Sequence, residues 1–300
     1  MLKAVFAKFL FFFFCIISLS VNAQDQKKLY KGQTHSGKKA KNLSLKNISR
    51  NELLTFFGSA GFASYNGDLS GTIFHRFYRP QIGGGVILRT GYLGKRLSLR
   101  ADIRCFRLYS ADVYQNRNLN FRSTNWEFLA LGQLDLFPYE KLMRRRTKIN
   151  PYVYAGIGLM TFDPWGQLPN GRWHQLRPLE TEHVKYGHVA FVYTAGAGFK
   201  YNHSYRWNFM IEGGYRFTTT DYIDDVSSGY YPPASSFDNS ISMIMSNKSN
   251  DPNALTGRGS PKYKDGYFIF SAGITYTLTK HHATYKKKKG LLNNNLLRRN

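Results

Sequence analysis

The sequence predicts an all-β protein: an eight-stranded antiparallel transmembrane β-barrel with short periplasmic turns and long outer loops. Three observations predict it. From Arg96 to Cys105 the residues alternate strictly, Arg96, Ser98, Arg100, Asp102 and Arg104 against Leu97, Leu99, Ala101, Ile103 and Cys105. Successive side chains of a strand point to opposite faces, so this is strand periodicity. Stretches of similar length and pattern recur down the chain. The segments between them alternate between short and long, as the turns and loops of outer-membrane barrels do.

In chain order, residues 1–23 read as a signal peptide: Lys3 and Lys8, the apolar run Phe9 to Leu19, then Val21-Asn22-Ala23 as a small-residue cleavage site. Residues 24–51 read as a basic, disordered periplasmic segment, 52–279 as the barrel and 280–300 as a second basic, disordered tail. The net charge of +24 divides accordingly: each tail carries +7 and the leader +2, so +8 remains for residues 51–279. Polar, lysine-rich tails without an apolar period lack the material for a core. In an exported chain they exclude nucleic acid as the expected partner and favour anionic lipid head groups, cell-wall polymers or an acidic protein. After removal of the leader Cys105 is the sole cysteine, on an apolar face, and reads as a small hydrophobe. Past the leader no apolar run is long enough for a membrane helix, so an exported chain that enters a membrane does so as a closed barrel.

The eight expected strands are 53–65, 80–91, 96–109, 121–137, 151–162, 188–201, 206–221 and 266–279. In the fourth, Trp126, Phe128, Ala130, Leu134 and Leu136 oppose Asn125, Glu127, Gln133 and Asp135; in the seventh, Trp207, Phe209, Ile211, Tyr215 and Phe217 oppose Arg206, Asn208, Glu212 and Arg216. The eighth alternates cleanly and the first poorly. Segments after the second and sixth strands are short, those after the first, third, fifth and seventh long. The turn after the fourth is longer than its side predicts and carries Arg144, Arg145 and Arg146, expected to be a periplasmic docking patch. An even strand count puts both termini in the periplasm.

Alternation alone leaves two orientations open. A soluble sandwich would turn the apolar face inward; a membrane barrel turns it to lipid. Aromatic residues sharing that face with the aliphatics, and Tyr92, Trp126, Trp207 and Tyr276 at strand ends, favour lipid. The polar faces then fill an interior just wide enough for side chains. Arg96, Arg100, Arg104 and Arg216 are expected there in an ion-pair network with Glu127, Asp135 and Glu212, because unpaired buried charge is costly. Glycines at 83–85, 156, 158, 196, 198, 213 and 214 leave room for them. Their G-x-G spacing is not a dinucleotide site, as no helix follows.

No catalytic residues, cofactor, metal or small-molecule substrate are expected. His75, His174, His183, His188 and His203 stand singly in or beside loops and turns. Asp221, Asp224 and Asp225 could offer oxygen ligands to calcium, but the spacing of a calcium loop is missing. Carboxylates accepting backbone N–H bonds at the start of the long loop are the favoured reading.

Three segments carry a resemblance: GSAGFASYNGDL from Gly58 to Leu69; WHQLRPLETE from Trp173 to Glu182, with Trp173, Pro178, Leu179, Glu180 and Thr181; and EGGYRFTTTDYIDDVS from Glu212 to Ser227, with Asp221, Asp224 and Asp225. As a set they resemble the Bacteroidota outer-membrane β-barrel family that includes the type IX secretion component PorG, over about residues 52 to 279. This chain departs at His183, where relatives tend to have Gly, and in its basic tail past the last strand. The resemblance implies a non-enzymatic outer-membrane part of a secretion machine, surrounded by lipid and docking periplasmic ring proteins. A small-solute channel, a lipid-modifying barrel and an outer-loop adhesin are the alternatives.

Overall fold

The computed structural model describes residues 54–70, 78–90, 92–112, 117–140, 143–249, 257–262 and 264–278. The expected signal peptide, both basic tails, Lys141 and His75 lie outside the described residues.

Alternating residues build eight long strands among the described residues: β1 (Leu54–Asn66), β2 (Arg79–Arg89), β3 (Leu97–Ala111), β4 (Asn120–Asp135), β5 (Ile149–Thr161), then, after a small hairpin of β6 (Trp165–Gln167) and β7 (Trp173–Gln175), β8 (Val189–Tyr201), β9 (Trp207–Thr218) and β10 (Gly266–Thr277). Each long strand pairs antiparallel with its neighbours in the chain, β5 passing over the hairpin to β8. The ring closes where β1 meets β10, from Thr55↔Thr277 to Asn66↔Gly266. At 11 to 16 residues, the long strands meet or exceed the roughly 9–11 needed to cross a bilayer at a tilt.

Burial answers which face is inside. Along β3, Ser98, Arg100, Asp102 and Arg104 are buried while Leu99, Ala101 and Ile103 are exposed. The same inversion runs around the ring, with Ile82 63%, Trp126 48%, Phe128 51% and Ile211 50% exposed. A continuous apolar wall outside a charged interior is the arrangement a hydrocarbon surrounding requires. β1 follows it too: Thr55, Phe57, Ser59, Ala63 and Tyr65 are buried and Phe56 exposed, although both faces mix small and apolar types.

The connections sort as expected. At one end β2–β3, β4–β5 and β8–β9 are joined, and there Leu278 N–H meets the Leu54 carbonyl at 3.0 Å. At the other end the long loops fold over the ring. They include a seven-residue helix, α1 (Ser240–Ser246), capped by the Asn239 side chain, which accepts the Ile241 N–H at 2.9 Å. His183 does adopt a left-handed backbone (φ 57°), the conformation glycine takes most easily; its ring stacks on Phe237 and meets Ser236 Oγ at 2.7 Å.

Candidate functional site: the filled lumen and the outer cap

Mid-barrel, alternation on β3 aims Arg100, Asp102 and Arg104 at Glu212 of β9. Arg100 forms two contacts to Asp102 (2.7 and 2.8 Å) and two to Glu212 (2.6 and 2.8 Å). Arg104 bridges the same carboxylates at 2.9 and 2.7 Å, and the Tyr152 hydroxyl donates to Glu212 at 2.8 Å. Two guanidinium groups and two carboxylates thus cancel, each charge holding more than one charge-assisted bond. Close approach makes this possible. A Cβ at Gly83 would stand 2.7 Å from Arg104 Cγ, and one at Gly196 would collide with the Tyr154 ring.

Two further pairs flank the cluster. Arg216 lies 3.4 Å from Glu127, which also accepts the Tyr267 hydroxyl at 3.1 Å. Toward the short turns, Lys200 lies 3.3 Å from Asp135, whose same oxygen accepts Gln133 Nε2 at 2.9 Å. Six of the seven expected lumen residues therefore lie in three ion-paired groups. Arg96 does not join them: it precedes β3, half-buried in the turn, where its carbonyl accepts the Asp135 N–H at 3.0 Å. Asp102 and Lys200 complete the groups. Asp102 was visible in the alternation; Lys200 closes a strand of small and aromatic residues and gave no signal by itself.

The interior is not ionic throughout. From Phe106 outward the inward face of β3 turns apolar, and Phe106, Leu108, Phe121, Met160, Val192, Tyr267 and Ile269 form one core that continues into Leu176, Ile223, Val226 and Met245 of the loops. The expected ion-pair network accounts for only part of the lumen. Ion pairs share the middle and the short-turn end with buried Leu129, Leu131, Phe57, Ile87 and Met210, and packed apolar side chains dominate the outer end. Phe106 and Leu108 hold the same phase as Arg104, so a face of changing polarity was the available sign.

The outer-loop residues converge on Arg258, 1% exposed. Its guanidinium pairs with Glu182 and Asp225 and donates to the Asp225 carbonyl (3.0 Å) and Thr181 Oγ1 (3.0 Å), while Nε reaches the Ser246 carbonyl at 3.1 Å. Thr181 also bonds Asp225, and Glu182 accepts the Ser227 and Ser228 N–H groups at 3.1 and 3.0 Å. Asp224 accepts the Val226 N–H at 3.0 Å, Asp265 that of Ile223 at 2.9 Å, and Asp221 the Ser227 hydroxyl at 2.7 Å. The Tyr65 hydroxyl sits 2.7 Å from Asp224 and 2.5 Å from Asp265. A phenol has one proton to donate, so one of these two carboxyl groups carries its own. Burial raises both acids well above the usual carboxylate range, raises Asp225, and pushes Asp221 up to about 6.

Loop anchoring is what these carboxylates do. Among the described residues no group of three or more His, Cys, Asp or Glu is placed to hold a metal. Pro178 and Leu179 form a single 3₁₀ turn, and Glu180 ends it in a left-handed conformation. Trp173 stands apart from the Arg258 knot, on β7, with the Arg122 guanidinium 4.1 Å from its ring centroid. Arg258 itself escaped the sequence reading, since an arginine in a polar loop looks like any solvated side chain.

At the other end, the expected docking arginines separate. Arg144 and Arg145 are exposed on a 3₁₀ turn (Met143–Arg145). Arg146 folds back, donating to the Glu140 carbonyl (2.6 Å) and the Tyr139 hydroxyl (2.5 Å). The guanidiniums of Arg146 and Arg89 lie 4.3 and 3.8 Å from the Tyr139 ring centroid. Arg146 is a brace of the turn, so the exposed patch consists of Arg144 and Arg145.

The closed ring, outward apolar wall and ion-filled lumen define the class: an eight-stranded, up-and-down transmembrane β-barrel. No family model matches the chain, and no curated protein does. Solved structures similar to it include Neisserial surface protein A (12% identity, 75% of this chain and 96% of that one, TM-score 0.39). Others are a major outer membrane protein of Thermus thermophilus (11%, 74% and 98%, TM-score 0.37) and outer membrane protein W of E. coli (16%, 75% and 98%, TM-score 0.35).

Proposed function

We propose that this protein is a non-enzymatic outer-membrane barrel that serves as a structural and docking part of a type IX-like secretion apparatus. The observation that carries the non-conducting, scaffolding part of this reading is the Arg100–Asp102–Arg104–Glu212 cluster, which occupies the middle of the lumen with charges already satisfied. A pore needs water where these four side chains stand, and opening one would strand buried ions. The secretion role draws on the resemblance of the Gly58–Leu69, Trp173–Glu182 and Glu212–Ser227 segments. The short-turn end offers Arg144 and Arg145 to an acidic periplasmic surface.

Planar-bilayer recording of the purified barrel is expected to give no stepwise conductance; a regular open channel would replace this reading with the solute-channel alternative. Arg144→Glu combined with Arg145→Glu is expected to abolish capture of periplasmic secretion-ring proteins while the barrel assembles normally. Capture unchanged by the double reversal would overturn the docking role.

A further inference from the structure

Inside the barrel Arg100, Arg104 and Arg216 are matched with carboxylates; at the long-loop rim three arginines are not. Arg79, Arg107 and Arg122 line a groove of about 650 Å³ at the long-loop rim of β2, β3 and β4, walled by Tyr109, Trp165 and Trp173. Among the described residues none of the three has a carboxylate partner. Arg79 lies over the Tyr109 ring (4.4 Å to the centroid), with one bond to the Tyr78 carbonyl at 3.4 Å. Arg122 lies over Trp173. Arg107 points outward and is exposed. The one acid of the groove, Asp163, is engaged by Gln175 Nε2 at 2.7 and 2.8 Å and by Arg177 at 3.4 Å.

The register sets the height of this groove. Outward-facing Ile103 pairs with Phe128, then Cys105 with Trp126, then Arg107 with Thr124, then Tyr109 with Arg122. At about 3.4 Å per residue, the arginines begin roughly 7 Å beyond the last apolar pair, Cys105 and Trp126. On a strand tilted by about 40° this is a rise of roughly 5 Å above Trp126, toward the head groups. Elsewhere the long-loop part of the wall is ringed by aromatics: Phe62 with Phe270 and Tyr78, and Tyr215 with Phe217. This sector adds clustered guanidiniums to its aromatics Tyr109, Trp165 and Trp173. Guanidinium forks match phosphate oxygens, and tryptophan walls reduce the water that would screen them.

We propose that this groove binds the phosphate of a lipid head group in the outer leaflet, and so ties the barrel to a phosphorylated lipid at one fixed sector of its perimeter. The inference rests on the outer-membrane placement proposed above, with the long loops outside.

The test is native mass spectrometry of the purified full chain in detergent, titrated with bis-phosphorylated lipid A, with dephosphorylated lipid A and with inorganic phosphate. The unaltered protein is expected to retain bis-phosphorylated lipid A at least about tenfold more than Arg107→Gln combined with Arg122→Gln, since two charge-assisted contacts are lost. Dephosphorylated lipid A is expected at background, and equimolar inorganic phosphate is expected to leave the lipid adduct in place. Equal retention by the variant, equal binding of the dephosphorylated lipid, or displacement by equimolar phosphate each overturns the proposal. Heat-modifiable mobility on a denaturing gel reports that the variant is folded. Arg107→Gln alone, at an exposed side chain, gives the same readout if the double variant does not fold. Loss of ring-protein capture by Arg144 and Arg145 variants is read in a separate assay, so failure of the docking reading and failure of lipid binding remain distinguishable.

Discussion

In the lumen four carboxylates, Asp102, Glu127, Asp135 and Glu212, meet four cations, Arg100, Arg104, Lys200 and Arg216. In the outer cap Arg258 pairs with Glu182 and Asp225 and Arg117 with Asp112, while Asp68, Asp221, Asp224 and Asp265 accept bonds from hydroxyls and backbone N–H groups. The cap makes up the deficit with hydroxyls, backbone N–H groups and protons. The difference separates two ways of burying charge. Matched ions neutralise one another and fail badly when one partner is removed. An acid-rich knot tolerates individual losses but responds to the proton concentration.

Four measurements test this contrast. Glu212→Ala strands Arg100 and Arg104 together and is expected to cost about 3–5 kcal/mol, the penalty of an uncompensated buried charge, read as the urea midpoint of heat-modifiable mobility. Arg258→Ala is expected to cost about 2 kcal/mol locally. Its loops between Thr219 and Asp265 should be cut by protease while the barrel keeps its mobility. Were the whole barrel to unfold with it, cap and lumen would be one cooperative unit.

The third measurement is pH. Asp221, pushed up to about 6, holds a proton in the folded cap that it gives up in the unfolded chain above the ordinary value of 3.8. The folded state then binds more protons, so stability is fully present below 3.8 and declines as pH rises through about 6. Hydrogen exchange in the Tyr222–Ser228 segment, corrected for intrinsic rates, is expected to slow by about threefold between pH 7 and pH 5, the roughly tenfold of the full shift being reduced by solvent screening. Exchange in β3 and β9, corrected for intrinsic rates, should not move. The smallest effect belongs to the exposed turn: reversing Arg144 and Arg145 is expected to change stability by less than about 0.5 kcal/mol by the same urea assay.

Much of the wall is legible in the residues alone. Strict alternation from Arg96 to Cys105 located β3 and its polar face, and parity of the connections marked the side on which the loops gather. The partners were harder to read, because Arg100 meets Glu212 across the barrel and only ring closure brings those strands face to face. Arg96 followed the alternation but fell outside the strand, where the turn had already begun. Arg146 looked identical to Arg144 and Arg145 in a run of basic residues; Tyr139 and the Glu140 carbonyl, folded back beside it, make the difference. Arg258 had no periodic context at all. Where the backbone imposes a period, sequence reports position; where a side chain's role depends on what a distant loop brings to it, sequence is silent.

The hydrogen bond between Leu278 and Leu54 bears on how the molecule must be made. The sheet has two bare edges until β10 has been synthesised and laid against β1, so a chain truncated before Gly266 is expected to be a sticky ribbon and not a narrower barrel. Insertion into the bilayer must then await the final strand. Because that seam brings the two ends of the sheet together, joining them and opening the circle at a long loop should yield a rearranged chain that wraps into the same cylinder.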